Sequence, residues 1–182
     1  EMVRRLETEA AEAIVAAPDA LARLIAQDLE KWRRVAKQTG IRSDKLFSDE
    51  YTRKENDMDQ LKIGDVAPDF SLKDQNGIDV KLSEFRGRRV LLSWHPLAWT
   101  GVCKIQMEML ELKKGALDKM NAVAFGVSID HQYTKKAWAD AIGVKETRLL
   151  ADFWPTGEVA RKYGLFIDKL GFSGRANVIV DE

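Results

Sequence analysis

The sequence predicts an α/β fold in which a mixed central sheet is covered by helices, and two observations predict it. Four apolar runs have the length of buried strands: 89–94, 122–129, 148–151 and 176–180. Three amphipathic segments of helical length lie among them: 103–119, 133–142 and 156–163. Strands that alternate with helices indicate βαβ crossovers, which place helices against the faces of the sheet.

A β-hairpin is predicted to precede this series. The segment from Phe70 to Leu82 alternates apolar and polar residues on both sides of Asn76 and Gly77. An Asn-Gly pair supplies the positive φ angles of a tight hairpin turn. We therefore expect one α/β domain over residues 61–182 that begins with two short antiparallel strands.

Residues 1–41 are predicted to form a helical extension, and the charged segment 42–60 a linker. Pro18 opens the second of two helices and Gly40 ends it. Segment 20–41 is similar to the C-terminal helix of the periplasmic substrate-binding receptors of tripartite tricarboxylate transporters, but it carries no ligand-contacting motif. The alternative is an amphipathic helical hairpin used for packing or dimerisation.

The composition argues against several classes of partner. The 29 basic and 29 acidic residues cancel, so no net field favours nucleic acid or a membrane surface. No apolar run approaches the roughly 20 residues of a membrane span, and the first residues alternate charge and alanine, so we expect no secretory signal. One cysteine excludes an internal disulfide, and two histidines argue against a zinc site. We therefore expect no metal and a reducing, cytoplasmic location.

The C-terminal end of the chain indicates that the domain continues. Asp181 and Glu182 directly follow the apolar run 176–180. An exposed sheet edge is normally covered or paired. We therefore expect the domain to be C-terminally incomplete in this sequence.

Cys103 is the only cysteine of the chain, and it lies where an apolar strand ends and a helix begins. A lone thiol is usually an inert, buried apolar side chain. At a helix N-terminus, however, unpaired backbone N–H groups and the helix dipole favour the nucleophilic thiolate. The position makes Cys103 a candidate reactive centre.

The spacing Pro96-x-x-x-Thr100-x-x-Cys103 resembles the signature of the peroxiredoxins, of the alkyl hydroperoxide reductase C and thiol-specific antioxidant type. The resemblance covers about residues 58–182 and includes four further segments in the family's order: 64–70, 123–130, 151–155 and 174–181. It implies a thioredoxin-like fold, a thiol-dependent peroxidase without metal or organic cofactor, and a homodimer.

The resemblance also implies the catalytic residues. Cys103 would attack the peroxide and become a sulfenic acid. Thr100 could place its hydroxyl near the sulfur, and Pro96 suits a loop that shields the sulfur from water. Arg175 precedes the run 176–180, where the family motif carries its active-site arginine. A guanidinium there could stabilise the thiolate and bind a peroxide oxygen.

Three further residues are candidates for the substrate pocket. Gln106 lies one helical turn after Cys103 and could hydrogen-bond within the pocket, or be an ordinary polar helix residue. Trp99 could wall the pocket or pack at a dimer contact. His95 could act as a base, although packing or backbone hydrogen bonding is the alternative that we favour.

A single cysteine implies one-cysteine behaviour, in which an external thiol reduces the sulfenic acid. Thioredoxin, glutaredoxin or a small thiol would all serve. The segment in which some relatives carry a second, resolving cysteine has Thr134 and no cysteine. The alternative functions are a redox sensor or an interaction module that uses the same cysteine; a sensor would oxidise once and stall.

Overall fold

The computed structural model describes Arg34 and residues 61–181, and it contains the predicted mixed sheet. The elements of this part occur in the following order: β1 (Ser71–Lys73), β2 (Asp79–Lys81), a 3₁₀ turn (Leu82–Phe85), β3 (Arg89–Trp94), α1 (Gly101–Lys119), β4 (Ala122–Ser128), α2 (Gln132–Ile142), β5 (Arg148–Ala151), α3 (Glu158–Lys162), β6 (Phe166–Ile167), β7 (Phe172–Ser173) and β8 (Ala176–Val180). Three predicted strands have the predicted bounds, and β4 ends one residue earlier. The 3₁₀ turn and the small β6–β7 hairpin were not predicted from the sequence.

The six-stranded sheet has the order β2-β1-β5-β4-β3-β8. β4 pairs in parallel with β3 and with β5, so the crossovers through α1 and α2 join neighbouring parallel strands. β1 and β8 pair antiparallel with β5 and β3. The sheet is therefore mixed, as predicted, and both crossovers are βαβ units.

The core has two parts, because the two faces of the sheet are covered by different elements. Leu149 and Leu150 are neighbours in β5, yet they belong to separate buried clusters. Leu149 packs with residues of α1 and α2 such as Met107 and Trp138. Leu150 packs with residues of α3 and its surroundings, including Tyr163. Alternate side chains of a strand point to opposite faces, which explains this division.

The N-terminal hairpin is present, but its turn differs from the predicted one. Among the described residues of this turn only Gly77 has a positive φ, at 79°. The Asp74 Oδ1 atom accepts the backbone N–H groups of Asn76 and Ile78 at 2.8 and 3.0 Å. This carboxylate organises a five-residue loop, which replaces the two-residue turn that would need a second positive φ at Asn76. The prediction for Asn76 is wrong for that reason.

The predicted helical extension 1–41 and linker 42–60 lie outside the described residues, apart from Arg34. The same is true of the similarity of segment 20–41 to transporter receptors. Among the helices that the structure describes, none is long and apolar enough to cross a membrane.

Candidate active site

The pairing of β3 with β8 brings the beginning of one strand next to the end of the other. The two strands are antiparallel, and Trp94 is the register partner of Ala176. Arg175, directly before β8, therefore lies beside the loop that leaves β3. The sheet thus accounts for an approach of two segments that are more than 70 residues apart in sequence.

Cys103 is the third residue of α1, and its side chain is 1% exposed. The Arg175 Nη2 atom lies 3.2 Å from Cys103 Sγ, at hydrogen-bonding distance for a sulfur acceptor. The first turn of the helix adds the positive end of its dipole. A cation and a helix N-terminus therefore act on the same sulfur, which is the environment of a reactive thiolate.

Gln106 holds Arg175 in place from the next turn of α1. Its Oε1 atom accepts a hydrogen bond from Arg175 Nη1. Its Nε2 atom donates to Ser93 Oγ at 2.7 Å and to the Trp94 carbonyl at 3.1 Å. Ser93 Oγ in turn donates to Asn177 Oδ1 at 2.7 Å. The guanidinium is thus connected through one amide to both β3 and β8.

The loop between β3 and α1 carries Pro96, Trp99 and Thr100. Pro96 is buried, and Thr100 is the N-cap residue of α1. The Thr100 hydroxyl donates to the Leu97 carbonyl at 3.1 Å, so it stabilises the loop from within. Trp99 has a φ of 65° and is 60% exposed. This left-handed backbone is costly for a side chain that carries a Cβ, so its surroundings must impose the loop's shape.

His95 is fully buried, and neither ring nitrogen has a partner at good hydrogen-bonding geometry, although the Ser93 backbone is close enough to oppose the lowering of its pKa. Burial, together with the charges of Lys135 and Arg175, holds the pKa of His95 well below its usual range. Its ring lies 5.3 Å from that of Trp138. A neutral, enclosed imidazole fits the packing interpretation better than the role of a base that exchanges protons with substrate.

A buried lysine of α2, which the sequence did not predict, interacts electrostatically with Cys103. Lys135, in the first half of α2, is 0% exposed, and its Nζ donates to Ser128 Oγ at 2.6 Å. Burial lowers the pKa of Lys135 to about 8, against opposing contributions from Asp130 and Cys103. The available signal was its position three residues before Trp138, on the apolar face of α2. Because lysine is so commonly exposed, this position alone does not predict a buried lysine.

The predicted site residues therefore fall into three groups. Cys103, Arg175 and Gln106 are joined by direct contacts. Thr100 and Trp99 lie in the loop that begins the helix, and His95 is enclosed behind it. Among residues 61–181, no three His, Cys, Asp or Glu side chains form a group that could hold a metal ion.

Comparison with known proteins identifies the family. The AhpC/TSA family model matches residues 63–182. Alkyl hydroperoxide reductase E of Mycobacterium tuberculosis is 38% identical over 122 residues, which cover 66% of this chain and 79% of the relative. A thiol peroxidase of Streptococcus sanguinis is 32% identical over 123 residues, with 68% and 74% covered.

Solved structures support the same assignment. The reduced 2-Cys peroxiredoxin of Plasmodium vivax superposes with a TM-score of 0.59 at 30% identity, covering 66% of this chain and 79% of its own. Enterococcus faecalis AhpC gives a TM-score of 0.57 at 28% identity, with 62% and 70% covered. The predicted thioredoxin-like fold and the predicted class of activity, a thiol-dependent peroxidase, are confirmed. The chain belongs to the AhpC/TSA family of peroxiredoxins.

Proposed function

We propose that Cys103 is the peroxide-reducing nucleophile of this peroxidase and that Arg175 holds both the thiolate and the peroxide. The observation that carries the proposal is the 3.2 Å separation between Arg175 Nη2 and Cys103 Sγ. A guanidinium keeps its charge and has several donors in one plane. One part of it can hold the sulfur while its other N–H groups bind a peroxide oxygen.

The proposed reaction is a displacement at oxygen. The Cys103 thiolate donates an electron pair to the distal peroxide oxygen, an S–O bond forms, and the O–O bond breaks. The sulfur is oxidised to a sulfenic acid, and the peroxide is reduced. The leaving oxygen takes a proton and departs as water or an alcohol. Because negative charge develops on that oxygen, donors that are already in position lower the barrier.

The neighbouring residues have supporting roles in this proposal. Gln106 fixes the orientation of Arg175, since it bonds to that guanidinium and to β3. Pro96 keeps an N–H group away from the sulfur and limits water in the loop. Thr100 is the N-cap residue of α1; its hydroxyl donates to the Leu97 carbonyl, and its oxygen could accept a hydrogen bond from a peroxide.

The sulfenic acid is reduced by an external thiol. The first thiol attacks the oxidised Cys103 sulfur, releases water and forms a mixed disulfide. A second thiol attacks this disulfide, regenerates the Cys103 thiol and leaves as the oxidised partner. Cys103 is 1% exposed, so a bulky thiol needs local opening of the loop or of the first turn of α1 to gain access. Thioredoxin, glutaredoxin and a small thiol are all compatible with this cycle.

The test is multiple-turnover peroxide consumption with dithiothreitol as the external thiol. We expect the wild type to consume many equivalents of hydrogen peroxide and Cys103→Ser to consume none above background. Arg86→Ala, which removes an exposed arginine away from the site, is the matched control and should retain the wild-type rate. Consumption of a single equivalent followed by a stall would overturn the peroxidase cycle and favour a redox sensor.

A homodimer is part of the proposal. Three aromatic side chains near the ends of β4 and β5 are exposed: Tyr133 (73%), Phe153 (45%) and Trp154 (82%). The His131 ring contacts two of them, with centroids 4.7 Å from Phe153 and 5.0 Å from Tyr133. Exposed aromatic patches of this kind mark interfaces. We expect a dimer in sedimentation velocity at micromolar concentration, weakened by Trp154→Arg; a monomer throughout would contradict it.

A reducing, cytoplasmic location completes the proposal, because each turnover consumes thiol. Fractionation of cells that express the natural gene should place the protein in the soluble cytoplasmic fraction. Recovery of the protein in the fraction of an oxidising compartment would contradict this location.

A further inference from the structure

Lys135 is the buried cation among residues 61–181 that the proposed reaction does not yet use; Asp74 and Asp152 are the buried carboxylates. Its side chain is 0% exposed, and it lies on the face of α2 that also buries Trp138 and Ala139. Burying an ammonium group is costly unless other groups compensate for the lost water. An apolar residue would fill the same position without that cost, so the buried charge indicates a role for Lys135 beyond packing.

The hydrogen bonds of Lys135 lead to the loop that precedes Cys103. Lys135 Nζ donates to Ser128 Oγ at 2.6 Å, and Ser128 Oγ donates to Asp130 Oδ2 at 2.6 Å. The same Asp130 oxygen accepts the backbone N–H of Ala98 at 2.8 Å. Ala98 is the residue before Trp99, whose backbone is held in the left-handed region. The chain of contacts thus ends at the strained part of the active-site loop.

Charged groups face Lys135 from each neighbouring element. Asp130 follows β4 and Asp152 follows β5, and both interact with it electrostatically, as does Cys103 in α1. His95, after β3, is close enough for its own pKa to be lowered by Lys135. His95 is buried and neutral, so it adds no positive charge here. Lys135 and Arg175 are therefore the cations that act on the Cys103 sulfur and its surroundings.

We propose that Lys135 is a positioning residue of the peroxidase: its buried ammonium stabilises the Cys103 thiolate from the protein side and, through Ser128 and Asp130, fixes the loop before α1. Arg175 contacts the same sulfur and is exposed, whereas Lys135 is buried, so two cations act on one thiolate. This inference rests on the proposed function of Cys103. Two cations on one thiolate act strongly because little water screens them.

The sulfur's own response to pH provides the first test. Iodoacetamide alkylation of Cys103 and the rate constant for hydrogen peroxide would be measured from pH 5 to pH 10 in the wild type and in Lys135→Met. We expect the alkylation midpoint of the variant to move up by about half a unit, and its peroxide rate at pH 7 to fall by about threefold through the smaller thiolate fraction. Lys136→Met is the matched control, because Lys136 is exposed and pairs with Asp140 on the surface.

The pH dependence of the ratio between the wild-type and Lys135→Met peroxide rates distinguishes an electrostatic role of Lys135 from a purely structural one. Burial lowers the pKa of Lys135 to about 8, so the wild type loses this charge at higher pH. The rates of wild type and Lys135→Met should therefore converge above pH 9. A ratio that is constant across the pH range would overturn the electrostatic role. Ser128→Ala keeps both charges but breaks the link to Asp130, and a wild-type peroxide rate in that variant would overturn the anchoring role.

A second measurement avoids the Lys135 variant, in case that variant does not fold. Lysine Nζ resonances of ¹⁵N-labelled wild type and Cys103→Ser would be followed by NMR as the pH is raised. The thiolate raises the pKa of Lys135, so removing it should lower the Lys135 midpoint, which lies near pH 8 in the wild type, by about half a unit or more. Equal midpoints would overturn the inference. This readout needs no peroxidase activity, so failure of the proposed function would be recognised separately.

Discussion

Replacing Lys135 by methionine should make the protein more stable at pH 7, although we expect it to make the peroxidase slower. The side chain is fully buried, and burial lowers its pKa from 10.5 to about 8. At about 1.4 kcal/mol per pKa unit, keeping this ammonium charged in the fold costs about 3 kcal/mol at pH 7. Methionine fills a similar volume without a charge, and it packs well in irregular cores.

Part of the stability gained by Lys135→Met is offset, because the variant leaves a former hydrogen-bond partner of Lys135 without its donor. Ser128 Oγ loses its donor, which costs about 1–2 kcal/mol. The attraction between Lys135 and Asp130 is already included in the pKa of about 8, so it is not subtracted a second time. We therefore expect a net increase in the free energy of unfolding of about 1–2 kcal/mol.

The assay is urea denaturation of wild type and Lys135→Met at several pH values, with Lys136→Met as control. The pKa of Lys135 is lowered by folding, so between about pH 8 and 10.5 the unfolded chain binds a proton that the folded chain does not. The wild type therefore gains stability relative to the variant as the pH rises through that window. The advantage of Lys135→Met should be largest at or below pH 7, should fall by about 3 kcal/mol between about pH 7 and 10.5, and should therefore reverse before pH 10.5. A variant that is less stable at pH 7, or an advantage that does not change with pH, would refute the reasoning.

The other predictions concern acid stability and core packing. Burial lowers the pKa of His95, so the fold loses stability as the pH falls below about 6.5, by up to about 1.4 kcal/mol per pH unit. His95→Phe should flatten that slope in urea denaturation; an unchanged slope would assign the acid sensitivity to other groups. Gly126→Ala should destabilise by about 1–3 kcal/mol, because the added methyl group would overlap Met107 Sδ and lie 2.8 Å from Leu149 Cδ2. Gly101→Ala has no heavy atom within 4 Å of the added methyl and should unfold at the wild-type midpoint or above it; equal effects of the two substitutions would contradict this account of the packing.

Much of the fold could be predicted because its buried strands are continuous apolar runs. The bounds of β3, β5 and β8 follow from the residues alone, since each run is flanked by polar residues or turn signals. The β6–β7 hairpin was missed, because strands of two residues carry no periodicity. The turn after β1 was predicted incorrectly, because a side-chain carboxylate, that of Asp74, determines its geometry.

The active site was only partly predictable, because some of its contacts depend on strand pairing that the sequence does not show. The position of Cys103 at a strand–helix junction is visible in the sequence, but the approach of Arg175 depends on the pairing of β8 with β3 and was expected only through the family resemblance. The role of Gln106 as a bridge needs the same pairing. Lys135 was missed because the sequence pattern of α2 does not distinguish a buried lysine from an exposed one.

The most direct test of the central claim is the single-turnover rate of Cys103 oxidation by hydrogen peroxide, followed by tryptophan fluorescence. Wild type would be compared with Arg175→Ala, with Cys103→Ser as the baseline and Arg86→Ala as the control. We expect the wild type and Arg86→Ala to react orders of magnitude faster than a free thiol, and Arg175→Ala to lose most of that acceleration. A wild type no faster than free cysteine, or an Arg175→Ala variant as fast as the wild type, would contradict the proposed roles of these two residues.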